Sequence, residues 1–585
     1  MVLLRLLVIA LVALVVFDPQ AALARELDKQ PTATGRGGAA ATVDLLGTRA
    51  AIDTLRSGGN AVDAAVSAAA VLGVTEPYSC GIGGGGFMTI RTADGRITTI
   101  DSREESPAAM RPDSFFENGA PLAFDPARWS GLSAGVPGTV AGWDRALRRY
   151  GTRSLAKSLR AGIRVARQGF TVDSTFASQT EPDVPWFDDV PSTAAIYLDE
   201  DGTPRDVGDT IRNRDLARTY KLIAKDGPRA FYRGDLAEAI VKAVRNPPVA
   251  GDADHVWRPG LLTEQDLRDY AALQREPTHM TYRGLDIWGM GPPSSGGSTV
   301  GETLNILEGY DDLSPDHRTR ALHLFLEASR YAFADRSAYV ADPEFFDVPL
   351  AGLLSDSFAA ERRALINEEH AAAHPVAPGN PYDNEGDPGL ASADVSHPRQ
   401  STTHIVVSDR NGTVVSYTFT IESTGGNGIV VPGYGFLLNN ELTDFDFGSL
   451  THPNRADSSK RPRSSMSPTI VTRDGQPAYA VGSPGGSTII PTVAQVLLER
   501  LDLGASLPDA IARPRAAQRN TATTTAEPAF INSPEGQALL GYGHSYTSMA
   551  EIGAVTGLEF LPAGRVLAAA EPVRRGGGSA AVVRP

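Results

Sequence analysis

The sequence predicts an α+β protein, because helical patterns and antiparallel hairpins occupy largely separate stretches of its 585 residues. Hydrophobic residues make up 42% of the chain and charged residues 21%, a balance that is typical of a globular protein with a sizeable core. This composition excludes a mainly disordered chain. The length allows up to four domains of roughly 150 residues each, or one large layered fold.

Helices are predicted where apolar residues recur every three to four positions. The helix over 61–72 carries an alanine-rich face suited to close helix packing, and Gly59-Asn60 separates it from the helix before it. Pro137 is well placed near the start of a long helical region. We predict helices over 47–55, 61–72, most of 137–250, 298–307, 319–333 and 488–501.

Strands are predicted where apolar and polar residues alternate between turn signals. Asp94-Gly95 and Asn411-Gly412 are both hairpin turn dipeptides. Residues 25–38 are predicted as a polar lead, and residues 370–401, with five prolines, as an exposed irregular segment. We predict strands over 87–91, 96–101, 403–407, 413–419, 429–431, 435–438, 469–472 and 478–481.

The charge balance, 54 basic against 69 acidic residues, gives a net charge of −15. A nucleic-acid partner is therefore excluded, because a polyanion requires a basic face and the arginines are scattered along the sequence. Cys80 is the single cysteine, so an intrachain disulfide and a cysteine-ligated zinc site are excluded as well.

The N-terminus has the pattern of a secretory signal peptide over residues 1–24. Arg5 precedes twelve apolar residues, 6–17, and Ala22-Leu23-Ala24 provides a small-residue cleavage site before Arg25. Twelve apolar residues in a helix span about 18 Å, too short for a bilayer core of about 30 Å. We therefore predict export to the periplasm, the cell envelope or the medium, with no membrane span left after cleavage. An uncleaved anchor remains the alternative.

Two short motifs do not have the surroundings that their chemistry requires. The glycine run 81–86 matches the dinucleotide pattern, but a helix precedes it and a strand follows it, the reverse of a nucleotide site. We expect the run to let backbone pack tightly beneath a site. Residues 131–135 match a serine-nucleophile elbow without the buried strand that should precede it. The histidines lack the spacing of a metal hydrolase, so we expect neither a metal ion nor an organic cofactor.

Thr402 is the candidate nucleophile. It follows the irregular segment 370–401 and begins a predicted strand. A threonine hydroxyl needs an adjacent base, and the threonine's own α-amine serves as one if the bond between Ser401 and Thr402 is cut. An α-amine with a pKa near 7.7–8.0 accepts a proton close to neutral pH.

Seven segments together resemble the γ-glutamyltransferase family of N-terminal-nucleophile hydrolases. They occur in the family's order and cover the chain from about residue 40 to its C-terminus. The segments are 59–65, 81–87, 101–104, 402–404, 438–444, 461–468 and 482–487.

The resemblance implies a four-layer αββα sandwich formed jointly by two self-cleaved fragments. These would be a large subunit, 25–401, that ends in the flexible 370–401 tail, and a small catalytic subunit, 402–585. Thr402 would be the nucleophile, and Thr420 would hydrogen-bond its hydroxyl. The N–H groups of Gly485 and Gly486 would bind the oxyanion.

The resemblance also implies a site for an α-amino acid head group. Arg103, with Ser464 and Ser465, would bind the α-carboxylate, while Glu441 and Asp444 would face the α-ammonium.

Two features depart from the family pattern. Glu422 stands where family members carry asparagine, so it is expected to alter binding of the amino-acid head group. Only 20 positions separate Asp444 from Ser464, which predicts a short lid and a more open, wetter site.

The expected activity is hydrolysis or transfer of γ-glutamyl groups from small molecules such as glutathione. A γ-glutamyl-threonine ester would pass its acyl group to water, an amino acid or a peptide. Two alternatives stay open: an acylase acting on cephalosporin side chains or poly-γ-glutamate, and a processed but inactive binding protein.

Overall fold

The computed structural model describes residues 29–382 and 401–584. The predicted signal peptide, 1–24, and most of the predicted irregular segment 370–401 lie outside the described residues. Within the described ranges, every helix is too short or too polar to cross a membrane.

Thirteen of the strands in the described residues form one continuous antiparallel system. In chain order the strands are Thr32–Thr42 (β1), Gly85–Arg91 (β2), Ile97–Asp101 (β3), Phe116–Glu117 (β4), Ala120–Pro121 (β5), Phe170–Thr171 (β6), Thr210–Ile211 (β7), Leu273–Arg275 (β8), Thr278–Tyr282 (β9), Leu285–Gly289 (β10), Thr403–Asp409 (β11), Val414–Thr420 (β12), Thr469–Arg473 (β13), Gln476–Gly482 (β14), Ala516–Ala517 (β15), Thr524–Ala526 (β16), Tyr546–Ser548 (β17), Thr556–Leu561 (β18), Arg565–Ala570 (β19) and Ser579–Arg584 (β20).

The helices flank this strand system. In chain order they are Leu45–Arg56 (α1), Ala61–Thr75 (α2), Phe124–Arg128 (α3), Thr139–Tyr150 (α4), Leu155–Ser158 (α5), Arg160–Gln168 (α6), Ser174–Thr180 (α7), Val184–Phe187 (α8), Pro191–Tyr197 (α9), Arg214–Asp226 (α10), Arg229–Tyr232 (α11), Asp235–Arg245 (α12), Glu264–Asp269 (α13), Gly296–Glu308 (α14), Arg318–Tyr339 (α15), Leu350–Leu353 (α16), Asp356–Ala364 (α17), Ile489–Leu501 (α18), Leu507–Ala512 (α19), Pro528–Ile531 (α20) and Pro534–Gly541 (α21).

The long strand β1 belongs to both halves of the strand system. Its residues 38–41 pair with β11, and its residues 32–35 pair with β19. One sheet therefore has the order β8-β3-β2-β12-β11-β1, with β20 also paired to β1, and the other has the order β1-β19-β18-β14-β13-β10-β9.

Alternate residues along the strands face different layers, as the pleat requires. Val406 and Ile470, from opposite sheets, meet in an apolar layer between the two sheets. Their neighbours Val407 and Val471 face outward, towards helices that include α1 and α2 on one side and α14, α15 and α18 on the other. These four layers confirm the predicted αββα sandwich.

The predicted hairpin of β11 and β12 is confirmed, as are the predicted helices at α1, α2, α14, α15 and α18. The prediction of a polar lead over 25–38 was wrong where β1 begins at Thr32. Alanine and glycine make up most of that strand and carry no β-branched signal, yet Ala39, Ala40 and Ala41 are fully buried.

The predicted strand pair 429–431 and 435–438 is present only as a short antiparallel contact. A single bridge joins Val430 and Leu437, and the N–H groups of Val431 and Leu438 donate to the carbonyls of Phe436 and Ile429 at 3.1 and 3.0 Å. Gly433 and Gly435 turn the chain between the two segments with positive φ angles of 79° and 73°. The apolar residues on both sides of the turn are buried together in the core beneath the helices rather than on alternating faces.

Candidate active site

Thr402 lies directly before β11, and the hairpin register brings it opposite the last residue of β12. The Thr402 hydroxyl contacts the carbonyl oxygen of Ser401, to which Thr402 is joined by the peptide bond. Thr420 Oγ1 lies 3.1 Å from Thr402 Oγ1 and donates to the same carbonyl at 2.8 Å. The N–H of Glu422 donates to Thr420 Oγ1 at 2.9 Å and so orients that hydroxyl. The Thr402 hydroxyl and a hydrogen-bonded carbonyl group are therefore side by side.

The glycine run beneath this pair leaves room for the backbone alone. A Cβ on Gly84 would overlap the carbonyl oxygen of Thr420, and one on Gly86 would overlap that of Thr418. At Gly85 a Cβ would lie 2.6 Å from Glu104 Oε2. The expectation of tight backbone packing beneath a site is confirmed, and any side chain here would displace the strand that carries Thr420.

Gly485 and Gly486 connect β14 to α18 through backbone that favours glycine, with φ angles of 131° and 55°. Neither N–H donates to a backbone carbonyl within the described ranges. A Cβ on Gly485 would approach Thr488 Oγ1 to 2.7 Å. Both N–H groups are therefore available to an oxygen that develops negative charge.

One cavity, of about 30 Å³, gathers nine of the ten residues predicted for the site. The tenth, Gly485, lines a neighbouring cavity of about 690 Å³, and Ser401 lines both. The nine residues are Arg103, Thr402, Thr420, Glu422, Glu441, Asp444, Ser464, Ser465 and Gly486.

Arg103 is completely buried and forms one cluster with both predicted acidic residues. Its Nη1 donates to Glu441, and its Nη2 donates to Asp444 at 2.5 Å. Backbone carbonyls of Pro462 and Arg463 accept from its Nε and Nη2 at 3.1 and 3.0 Å. Arg103, which is expected to bind the α-carboxylate, is thus paired with the two carboxylates that are expected to bind the α-ammonium.

The two serines keep hydroxyl protons to donate. Ser464 Oγ accepts the N–H of Met466 at 3.2 Å, and Ser465 Oγ accepts Arg336 Nη2 at 2.8 Å. An accepting hydroxyl still has its own proton for a ligand. Sequence reasoning missed Arg336, because a buried arginine inside a long helix carries no motif.

Glu422 faces this cluster and is itself buried. Burial raises its pKa to about 7, and the nearby Asp444 carboxylate adds to the shift. Hydrogen bonds from Ser423 Oγ and Asn440 Nδ2, both 2.5 Å from Glu422 Oε2, oppose the shift. The carboxyl group therefore changes charge close to neutral pH.

Glu104, the residue after Arg103, carries a second buried carboxyl group with a raised pKa. Neither of its oxygens has a hydrogen-bond partner within the described residues, and burial raises its pKa to about 8. Glu104 is therefore largely a neutral acid at pH 7, which limits the negative charge around the Arg103 cluster.

Arg575 also contacts Thr402, and sequence reasoning missed it. Its Nη1 donates to the Thr402 carbonyl at 2.7 Å, and its Nη2 lies 3.1 Å from Ser401 Oγ and 2.5 Å from Ser79 Oγ. Glu76 lies 3.9 Å from the same nitrogen. Arg575, which lies far along the sequence, thus forms hydrogen bonds with both residues of the Ser401–Thr402 peptide bond.

One trio of possible metal ligands is found among the described residues, away from the cavity around Thr402. It consists of Asp189, Asp254 and His255. Asp189 Oδ2 already accepts from Trp257 Nε1 at 2.7 Å and lies 3.0 Å from His255 Nδ1. These contacts account for the trio without a metal ion.

Comparisons with known proteins place the chain in a family. The sequence pattern of the gamma-glutamyltranspeptidase family matches residues 47–581. The glutathione hydrolase proenzyme of Bacillus subtilis (strain 168) is 39% identical over 532 residues, covering 89% of this chain and 87% of the relative. The acylase ACY 1 proenzyme of Pseudomonas sp. (strain V22) is 36% identical over 554 residues, covering 93% of each chain.

Solved structures share the fold as well. A cephalosporin acylase from Bacillus halodurans aligns with a TM-score of 0.81 at 28% identity, covering 97% of this chain and 99% of that one. The family pattern, which spans most of the sequence, and the Bacillus subtilis relative establish that the chain belongs to the gamma-glutamyltranspeptidase family.

Proposed function

We propose that the protein is an autoprocessing γ-glutamyl hydrolase and transferase that acts on glutathione-like γ-glutamyl amides. The observation that carries this proposal is the contact of the Thr402 hydroxyl with the Ser401 carbonyl, 3.1 Å from Thr420 Oγ1, inside the cavity that holds the Arg103 cluster. The B. subtilis relative, a glutathione hydrolase proenzyme, supports both the activity and the maturation step.

Maturation begins when Thr402 Oγ1 attacks the Ser401 carbonyl carbon. The C–N bond to Thr402 breaks, an ester joins Ser401 to the threonine side chain, and the hydroxyl proton passes to the Thr402 nitrogen, which becomes an amine. Water then hydrolyses the ester, leaving a carboxylate on Ser401 and a free hydroxyl on Thr402. Thr420 stabilises the developing oxyanion, because it already donates to the Ser401 carbonyl at 2.8 Å.

Turnover repeats this chemistry on a substrate. The Thr402 amine accepts the proton of its own hydroxyl as Oγ1 attacks the γ-carbonyl, and the N–H groups of Gly485 and Gly486 bind the oxyanion. The amine product leaves with that proton. Water or an amino-acid amine then cleaves the γ-glutamyl ester.

The α-amino acid head group of the substrate binds by replacing one ion pair of the Arg103 cluster. The substrate α-ammonium takes the place of Arg103 beside Asp444, whose side chain is about a quarter exposed. The α-carboxylate accepts from the Ser464 and Ser465 hydroxyls and from the guanidinium released by Asp444.

The leaving amine passes into the larger cavity. Arg519 and Arg575 line it together with Glu551, and Arg519 Nη1 bonds the Ser487 hydroxyl beside Gly486. This cavity of about 690 Å³ has room for a bulky leaving group. That volume also makes a cephalosporin-type acylase the second candidate, which the likeness to the cephalosporin acylase from Bacillus halodurans supports.

Mass analysis of purified protein tests the proposal together with turnover. We expect two fragments divided before Thr402, release of p-nitroaniline from γ-glutamyl-p-nitroanilide, and faster turnover of glutathione than of glutaryl-cephalosporin. A preference for glutaryl-cephalosporin would instead identify the acylase, and a cut chain without turnover would identify an inactive binding protein. An uncut chain that turns over γ-glutamyl-p-nitroanilide would contradict the mechanism.

Export is part of the proposal and rests on the pattern of residues 1–24. We expect the large fragment recovered from the periplasm, envelope or medium of the producing cell to begin at Arg25. Retention of residues 1–24 in a membrane fraction would instead identify the uncleaved anchor.

Glu422 predicts a pH dependence of substrate binding. As pH rises through about 7, ionisation of Glu422 adds a negative charge near Asp444, where the substrate α-ammonium binds, so the KM for γ-glutamyl donors should fall. We expect a fall of about five-fold, since two opposite charges about 4 Å apart attract by about 1 kcal/mol even in bulk water. In Glu422→Gln this fall should vanish, whereas the rise of kcat with pH that comes from the Thr402 amine should remain. Identical KM profiles for the two proteins would contradict this role.

A further inference from the structure

A cavity of about 380 Å³ on the helical side of the molecule is lined by arginines from three separate elements. Residues 145, 148 and 149 of α4 are spaced i, i+3 and i+4, so they share one face of that helix. The others come from α11, the residue after it, and α13. The six arginines are Arg145, Arg148, Arg149, Arg229, Arg233 and Arg268.

Few acidic groups compensate these charges. Asp144 pairs with Arg148 at 2.8 Å, and Glu264 pairs with Arg268 at 3.0 Å. Arg145 Nη1 donates to the Ala272 carbonyl at 3.0 Å, and its buried Nε has no hydrogen-bond partner among the described residues.

Besides Arg145, three of the arginines have no acidic partner in the part of the chain that the structure describes. These are Arg149, Arg229 and Arg233, and all three are exposed. Like charges at i and i+4 on a helix are destabilising, as Arg145 and Arg149 are here. The protein as a whole carries a net charge of −15, so this concentration of positive charge runs against its average.

The floor of the cavity is rigid and apolar. The rings of Tyr232 and Tyr270 stack with centroids 5.9 Å apart, and both side chains are largely buried. The Tyr232 hydroxyl donates to the Pro137 carbonyl, and the Tyr270 hydroxyl donates to the Arg103 carbonyl, both at 2.8 Å. The arginines therefore surround a floor that does not need to reorganise when a ligand enters.

We propose that this cavity binds a compact multivalent oxyanion, a molecule with two or more phosphate or carboxylate groups. The planar guanidinium forks of arginine match both groups in paired hydrogen bonds. The volume admits a small molecule and, with charge on several sides, selects multivalent over monovalent anions. The site shares no lining residue with the cavity around Thr402, although Tyr270 links the cavity floor to the Arg103 backbone.

Calorimetric titration of the purified protein at low salt tests this site with three probes: tripolyphosphate, citrate and inorganic phosphate. We expect tripolyphosphate or citrate to bind with one-to-one stoichiometry, more tightly than phosphate, and with an affinity that falls as NaCl is added. Binding by tripolyphosphate alone would assign a phosphate ligand, and binding by citrate alone a carboxylate ligand. No binding by either would overturn the proposal.

Variants locate the binding. In Arg149→Gln/Arg233→Gln the Kd should weaken about ten-fold or more, because two charge-assisted contacts are lost. The control Arg410→Gln/Arg513→Gln removes two exposed arginines elsewhere, so it changes the net charge equally and should leave the Kd within about two-fold. The single change Arg229→Gln provides a milder variant should the double variant fold poorly. Equal weakening by the control would overturn the assignment.

Discussion

Replacing Thr402 with alanine is expected to leave the chain whole at residues 401–402 and to abolish turnover of γ-glutamyl-p-nitroanilide. The substitution removes the oxygen that contacts the Ser401 carbonyl, so the acyl shift has no nucleophile. Loss of an enzyme's nucleophile reduces kcat by about 10⁶-fold in serine hydrolases, and a similar loss is expected here. Mass analysis of the fragments and a progress curve measure the two effects separately.

Thr403 supplies the matched control. It is the next residue along the chain and equally buried, but its hydroxyl has no hydrogen-bond partner among the described residues. Thr403→Val keeps the side-chain shape and should be cut and active, whereas Thr402→Ser should be cut more slowly. Cleavage before residue 402 in Thr402→Ala would show that another group cuts the chain, and the proposed nucleophile would then be wrong.

The meeting of Thr402 and Thr420 could be predicted from local signals. Asn411-Gly412 fixes the turn of the β11–β12 hairpin, and antiparallel pairing then places the residue before the first strand opposite the end of the second. The remaining predicted site residues lie in short motifs at strand and helix ends, where side chains converge on one edge of the sandwich. The resemblance to the family therefore predicted which residues lie together, because it rests on these same motif segments.

The contacts of Arg575 could not be predicted in this way. It lies more than 170 positions from Thr402, in a positive-φ turn with no motif, and only the pairing of β20 with β1 returns it to the site. The same limit explains β1, whose small residues give no strand signal but allow close packing at the junction of the two sheets. Nor did the motifs reveal that Arg103 already binds Glu441 and Asp444, because a residue's partner depends on geometry rather than on its type.

Replacing Arg103 with methionine is expected to lower the free energy of unfolding by about 3–5 kcal/mol, as breaking a buried ion pair from one side usually does. Glu441, of which 1% of the side chain is exposed, would lose its cation in a site that water does not reach. Asp444 would lose less, since 23% of its side chain is exposed. Chemical denaturation of the purified variant measures the loss, and KM for γ-glutamyl donors should rise as the carboxylate contact disappears.

The double substitution Arg103→Met/Glu441→Gln separates stability from binding. Glutamine keeps the shape of Glu441 without its charge, so most of the lost free energy of unfolding should return. Substrate affinity should not return, because the α-carboxylate still lacks the guanidinium. Recovery of both quantities would mean that Arg103 serves only to neutralise Glu441, and the head group would then have to be bound by the serine hydroxyls alone. Recovery of neither would mean that the backbone carbonyls of Pro462 and Arg463, rather than Glu441, are the partners that make Arg103 indispensable.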